Sequence, residues 1–259
     1  GVCILAGIAF AVLLWARLDN PAVWMTLAIM VGYGAIGFYD DWKKVMEQST
    51  DGLAGRMKLL GQIGIGAVVL GYGHWAGVTT PELAVPFMKG AVVEMSWLEA
   101  YIGPVAHWWY PAFGVFVLVG ASNAVNLTDG LDGLAIGPVM TSAATYGVLA
   151  YLTGNAVFAR YLGIPHVGTA GELTIFAMAI VGAGLGFLWY NTYPASVFMG
   201  DVGSLPLGGI LAALALLTRH EILLALVGGI FVLETVSVIL QVGSFKLTGK
   251  RVFAMAPIH

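Results

Sequence analysis

Three aspartate-bearing segments carry the residue types from which a phosphate or divalent-cation site is built: Phe38-Tyr-Asp-Asp-Trp-Lys-Lys44, Asn126-Leu-Thr-Asp-Gly-Leu-Asp-Gly133 and Phe198-Met-Gly-Asp-Val-Gly203. Each adjoins a long apolar run. An unpaired carboxylate at the middle of a bilayer costs on the order of 3 kcal/mol even on permissive insertion scales, so these groups belong where helices emerge into water. Gathered on one face, they form an acidic cluster at the membrane surface. Carboxylate oxygens suit magnesium, and magnesium bridges phosphate oxygens.

Each segment offers its own chemistry beside a plainer alternative. Neighbouring Asp40 and Asp41 repel, which raises the proton affinity of the pair and lets one act as a base or hold a cation with its partner. Lys43 or Lys44 can then hold a phosphate, although the same residues also suit an interfacial collar ending a span. Asn123, Asn126, Asp129 and Asp132 recur every third residue, which aligns polar groups on one face of a helix or tight helical turn. The acidic spacing and terminal glutamate of an EF-hand are missing, and structural capping is the plainer reading of this run. Asp201 stands between Gly200 and Gly203 in a loop after Pro194, where it suits magnesium or, more simply, caps the next helix. Phe198 is placed to stack on a flat base. Gly182-Ala-Gly-Leu-Gly186 lies inside a span with no preceding strand and reads as close helix packing. Glu234 is an intramembrane carboxylate that reads equally as functional or as satisfied by Thr235 and Ser237.

Composition dictates what kind of element positions these groups. Of 259 residues, 59% are hydrophobic and 10% charged, with a mean hydropathy of +0.89, against roughly 45–50% apolar and 25% charged in a soluble domain. An all-α polytopic membrane protein is expected. The net charge of −3 argues against a nucleic-acid partner, and a single cysteine, Cys3, excludes an internal disulfide or a cysteine metal cage. Gly1 to Leu18 lacks the basic start and cleavage site of a signal peptide.

A span takes about 20 apolar residues, which predicts about eight helices over Val2–Leu18, Ala22–Tyr39, Leu59–Gly77, Pro111–Val125, Leu131–Leu152, Leu173–Tyr190, Gly203–Thr218 and Ile222–Val242. Lys43, Lys44, Arg56 and Lys58 follow the second span and Lys246, Lys250 and Arg251 follow the last, so the positive-inside rule makes that side cytoplasmic. Asp40, Asp41, Asp51, Asp129, Asp132 and Asp201 then share the cytoplasmic side, whereas Glu82, Glu94, Glu99, Glu172 and Glu221 lie outside. Among the aspartates, only Asp19 departs from this division. Between Gly77 and Trp109, Trp97, Tyr101, Trp108 and their neighbours predict a short interfacial hairpin or helix at headgroup level.

Taken together, the motifs resemble the phospho-N-acetylmuramoyl-pentapeptide transferase family of the polyprenyl-phosphate N-acetylhexosamine-1-phosphate transferase superfamily. The resemblance covers nearly the whole chain and includes the closing Phe253-Ala-Met-Ala-Pro-Ile-His259. It implies about ten helices in the complete protein, with a helix and loop before Gly1 and a histidine run and final helix after His259. It also implies one transferase domain over residues 1–259, with 78–110 as a periplasmic interfacial segment. The setting implied is the bacterial cytoplasmic (inner) membrane, with active-site loops on the cytoplasmic face.

The implied reaction moves phospho-MurNAc-pentapeptide from UDP-MurNAc-pentapeptide to undecaprenyl phosphate, giving lipid I and UMP for peptidoglycan synthesis. Residue by residue, the resemblance makes Asp201 the magnesium ligand, Asp40 the base or lipid-phosphate contact with Asp41 in support, and His259 a further catalytic residue. Lys44, Asn123, Asn126, Asp129, Asp132, Asn191 and Phe198 would line the substrate site, with Phe198 against uracil. Membrane lipid surrounds such a protein, and a homodimer is compatible with it. One rival is a sister enzyme transferring GlcNAc-1-phosphate from UDP-GlcNAc to a polyprenyl phosphate. Another is a cation-coupled transporter, although transporters place such carboxylates near the bilayer midplane on broken helices.

Overall fold

The structure is a computed structural model that describes residues 1–48, 52–90, 92–94 and 99–259; Asp51 and Trp97 lie outside them. Helix accounts for 73% of the chain. In order the helices are α1 (Val2–Trp15), α2 (Pro21–Met46), α3 (Gly55–Trp75), α4 (Glu99–Ile102), α5 (Trp109–Thr128), α6 (Ile136–Gly154), α7 (Ala156–Leu162), α8 (Leu173–Asn191), α9 (Asp201–Leu217), α10 (Glu221–Val227) and α11 (Gly229–Thr248). Each of the expected spans is helical, but the last is broken at Gly228 into α10 and α11. Pro21–Met46, Ala100–Thr128, Ala170–Asn191 and Gly229–Thr248 are long and apolar enough to cross a membrane. The all-α polytopic membrane class therefore holds.

Among the boundaries that differ from expectation, two shape the site. Helix α2 begins at a capped turn, where the Asn20 side chain accepts from Ala22 N at 2.9 Å and Pro21 occupies the first position. It does not stop at Tyr39 but continues to Met46, so Asp40 and Asp41 sit within a helix rather than at its end. Apolarity ends there; backbone hydrogen bonding does not, and Lys43 and Lys44 in the last turn oppose the negative end of the helix dipole. Conversely, α5 stops at Thr128 and α6 starts only at Ile136, leaving 129–135 as a turn. Asn123 and Asn126 remain on α5 while Asp129 and Asp132 leave it, so the three-residue stripe does not share one helix face.

Helix α9 is the axis of the molecule. Gly203 to Leu217 are all buried, as befits a helix that is apolar all round, and α9 packs against α2, α5 and α6. The approach of α2 is close because Gly37 has no side chain: a β-carbon there would overlap the carbonyl of Asp201. This contact places the Asp40-Asp41 turn of α2 beside the N-terminus of α9. Far along the chain, β1 (Glu82–Ala84) and β2 (Val92–Glu94) pair antiparallel with Leu83 opposite Val93. Together with α4 and a 3-10 turn over Gly103–Trp108, they supply the short elements expected there.

Candidate active site

The meeting of α2, α3 and α9 gathers the charged groups. Oxygens of Asp40, Asp41 and Asp201 all lie within 4.8 Å of one another. Asp40, fully buried, is 2.5 Å from Lys44 Nζ through Oδ2 and 2.9 Å from Lys58 Nζ through Oδ1. Its Oδ1 also accepts from Leu53 N at 2.6 Å. Lys58 Nζ donates onward to Asp201 Oδ2 at 2.6 Å. A buried carboxylate stripped of its ion-pair partner is destabilised by about 3–5 kcal/mol, so these lysines are needed for the fold as well as for any chemistry.

Asp41 works differently. Its Oδ2 accepts from Val202 N at 3.1 Å, capping one of the free amides of α9, and its Oδ1 lies 3.4 Å from Lys44 Nζ. Asp201 is the first residue of α9 and not a loop residue, and its carboxylate does not cap. Instead, Oδ1 accepts from Asn126 Nδ2 at 2.8 Å, while Asn126 also donates to Ser204 Oγ at 2.8 Å. The donor set is all carboxylate oxygen, which fits a magnesium ion completed by water and phosphate. Asp41 and Asp201 are the more accessible donors, since both are part-exposed whereas Asp40 is buried with each oxygen facing an ammonium group.

Beside the cluster opens a cleft of about 280 Å³ lined by Asn126, Asp129, Asp132, Asn191, Phe198 and Asp201. Five of these were expected at the substrate site, and Asp201 was expected as the magnesium ligand. Two of them also hold the walls: Asn191 Oδ1 accepts from Gly133 N at 3.0 Å and its Nδ2 donates to Val197 O at 2.9 Å, while Asp132 Oδ2 accepts from Ala195 N at 2.9 Å. These bonds tie the 129–135 turn to the 192–200 loop. Phe198 is left 69% exposed, a free aromatic face at the cleft. Burial, reinforced by repulsion from Asp201 and Asp41, pushes the Asp129 carboxyl up to about 7.

Other expected residues fall elsewhere. Asn123 donates to Gln62 Oε1 and to Val119 O, both at 2.8 Å, and Gln62 donates to Ser122 Oγ at 3.0 Å. Asn123 thus belongs to a polar network between α3 and α5 and does not line the cleft. Lys44 faces the carboxylates, and His259 approaches the cleft from the chain end, its ring against Gly130. Lys58 and Gln62 were not singled out from the sequence as site residues. The signal for Lys58 was its place in a basic connection next to a span start, which reads first as a topology marker.

Comparison with known families agrees with this geometry. The family model described as "Glycosyl transferase family 4" matches residues 23–219, a stretch that contains the carboxylate cluster and every residue named in the cleft. This family contains the phospho-N-acetylmuramoyl-pentapeptide transferases and related polyprenyl-phosphate sugar-1-phosphate transferases.

Proposed function

We propose, from the premise that the chain belongs to glycosyl transferase family 4, a specific donor, acceptor and cation for its reaction. Membership makes the protein a membrane-embedded phospho-sugar transferase that moves a sugar-1-phosphate from a nucleotide-sugar donor to a polyprenyl phosphate acceptor. The finer reading is transfer of phospho-MurNAc-pentapeptide from UDP-MurNAc-pentapeptide to undecaprenyl phosphate, giving lipid I and UMP. It takes residues 1–259 as one transferase domain, acting at the cytoplasmic face of the bacterial inner membrane in peptidoglycan synthesis. The observation that supports the phosphoryl-transfer chemistry is the junction at Asp201, which belongs at once to the carboxylate cluster and to the cleft.

An oxygen of the lipid phosphate attacks the donor's sugar-bearing phosphorus. The bond from that phosphorus to the oxygen bridging it to UMP breaks, and that oxygen leaves with the UMP. Positioning and charge neutralisation dominate such a transfer. Magnesium held by Asp201 and Asp41 would neutralise phosphate charge as it shifts to the leaving group. Lys44 and Lys58, set in place by Asp40, bring two ammoniums to the same point. Asp40 in this pairing orients the lysines, and it serves as the base only when they turn to the phosphates. Asp41, part-exposed, supports Asp40 through the Lys44 ammonium that both face. Asn126, Asp129 and Asp132 offer hydrogen-bonding groups to the nucleotide, and Phe198 offers uracil a stacking face.

Donor choice rests on the Ala254-Met-Ala-Pro-Ile-His259 ending, which resembles the muramoyl branch. The test supplies UDP-MurNAc-pentapeptide or UDP-GlcNAc with undecaprenyl phosphate and magnesium, and follows UMP and labelled lipid. Product from the muramoyl donor alone is expected. Product from UDP-GlcNAc alone would keep the family and overturn the branch. Cation flux without UMP from either donor would favour the transporter instead.

A further inference from the structure

Glu234 lies on α11, 2% exposed, in a stretch apolar enough to cross a membrane. Neither neighbouring hydroxyl satisfies its carboxylate: Thr235 donates to Phe231 O and Ser237 to the Glu234 carbonyl. Its partners come from the end of the chain. Oε2 accepts from Ile258 N at 2.8 Å, and Oε1 lies 3.3 Å from His259 Nδ1. About two turns along the same helix, Gln241 holds the start of that tail. Its Oε1 accepts from Val252 N at 3.0 Å and Phe253 N at 2.9 Å, and its Nε2 donates to Phe253 O at 3.1 Å.

Two polar side chains of α11 therefore fix both ends of segment 252–259. The far end carries the imidazole to the cleft, where Nε2 faces Gly130 so closely that a β-carbon there would overlap the ring. Gly130 itself lines the cleft, between Asp129 and Leu131. The carboxylate stands beside Nδ1 at 3.3 Å without a formed hydrogen bond, which keeps that edge of the ring turned to α11 and leaves Nε2 for a ligand. Burying a carboxylate is costly unless it is paired and hydrogen-bonded, and here its two oxygens face only the Ile258 amide and the His259 ring.

We propose that Glu234 is a positioning residue: it orients His259 so that Nε2 is presented to the bound donor at the Gly130 edge of the cleft. This rests on the transferase reading and on His259 meeting substrate. Glu234→Gln, nearly isosteric and still able to accept from Ile258 N, is compared with His259→Ala and with the double variant in the membrane-embedded enzyme. Displacing a catalytic group by about 1 Å can cost on the order of 100-fold, so kcat for Glu234→Gln should fall by about 10- to 100-fold while the donor KM stays within about twofold. The double variant should be no slower than His259→Ala, because a residue acting through another adds nothing once that other is gone. In Glu234→Ala, hydrogen exchange at the Ile258 amide should quicken, a readout independent of turnover.

Normal kcat in Glu234→Gln, a loss confined to KM, or losses that multiply in the double variant would overturn the positioning role and leave the transferase reading standing. Full activity in His259→Ala would overturn it as well, since nothing would need orienting. Absence of UMP release by the unaltered enzyme would bring down both.

Discussion

Lys58 Nζ lies 2.6 Å from Asp201 Oδ2, across 143 positions of sequence. The contact depends on α2 passing the N-terminus of α9 at Gly37, because the same ammonium also binds Asp40 on α2. Lys58→Met should therefore lose turnover by at least about 10²-fold, the scale seen when one preorganised donor is removed from a developing charge. Lys58→Arg should not restore it, since a planar fork does not replace a point charge shared between two carboxylates. The measurement is UMP release by protein whose unfolding temperature in detergent has been checked. Recovery by arginine would show that charge alone suffices.

Asp201→Asn tests the cation. It removes a hard ligand while keeping an oxygen to accept from Asn126, so the fold should survive and magnesium-stimulated turnover should fall by more than about 10²-fold. Chelation should silence the unaltered protein, and added magnesium should restore it. A folded Asp201→Asn protein releasing UMP at a near-normal rate would remove Asp201 from the metal site.

Phe198→Ala removes an exposed ring that neither wall of the cleft uses for support. Affinity for the uridine nucleotide should weaken by about 1–3 kcal/mol, the scale of a lost base–aromatic stack. Binding of the UDP-sugar to purified protein, measured calorimetrically, checks this directly; an unchanged dissociation constant would place uracil elsewhere.

The helices were legible because apolar runs long enough to cross a bilayer have few other uses, and the cleft residues because their motifs resemble those of a known family. What escaped depends on direction and distance. The stripe from Asn123 to Asp132 has helical spacing, yet the chain turns after Thr128, so Asn123 faces Gln62 while Asp129 faces the cleft. Hydropathy falls at Tyr39, but hydrogen bonding carries α2 to Met46, and Asp40 is buried rather than emergent. Glu234 stood out as an intramembrane carboxylate, but its partners are not the adjacent Thr235 and Ser237; they are Ile258 and His259, 24 and 25 positions away. Pairings of this length are created by packing and leave no periodicity to read.

Asp129 gives the site a pH dependence whose sign follows from its surroundings. Its carboxyl is pushed up to about 7, first by burial and then by the charges of Asp201 and Asp41, whereas an unfolded aspartate titrates near about 4. The folded protein thus binds a proton here that the unfolded chain has already lost between those values. The stabilisation that comes from holding this proton is full below about pH 4 and disappears as pH rises through about 7. In cation-free detergent solution, the unfolding temperature of the unaltered protein should fall between about pH 5 and 8 relative to Asp129→Asn, which has nothing to ionise at that position. Added magnesium should narrow the gap at about pH 8, because a cation near Asp201 favours the charged form of a neighbouring carboxylate. Thermal unfolding followed by circular dichroism across this pH range provides the comparison. Parallel curves for the two proteins would mean that Asp129 is already ionised in the fold and that the cleft is more solvated than its lining suggests.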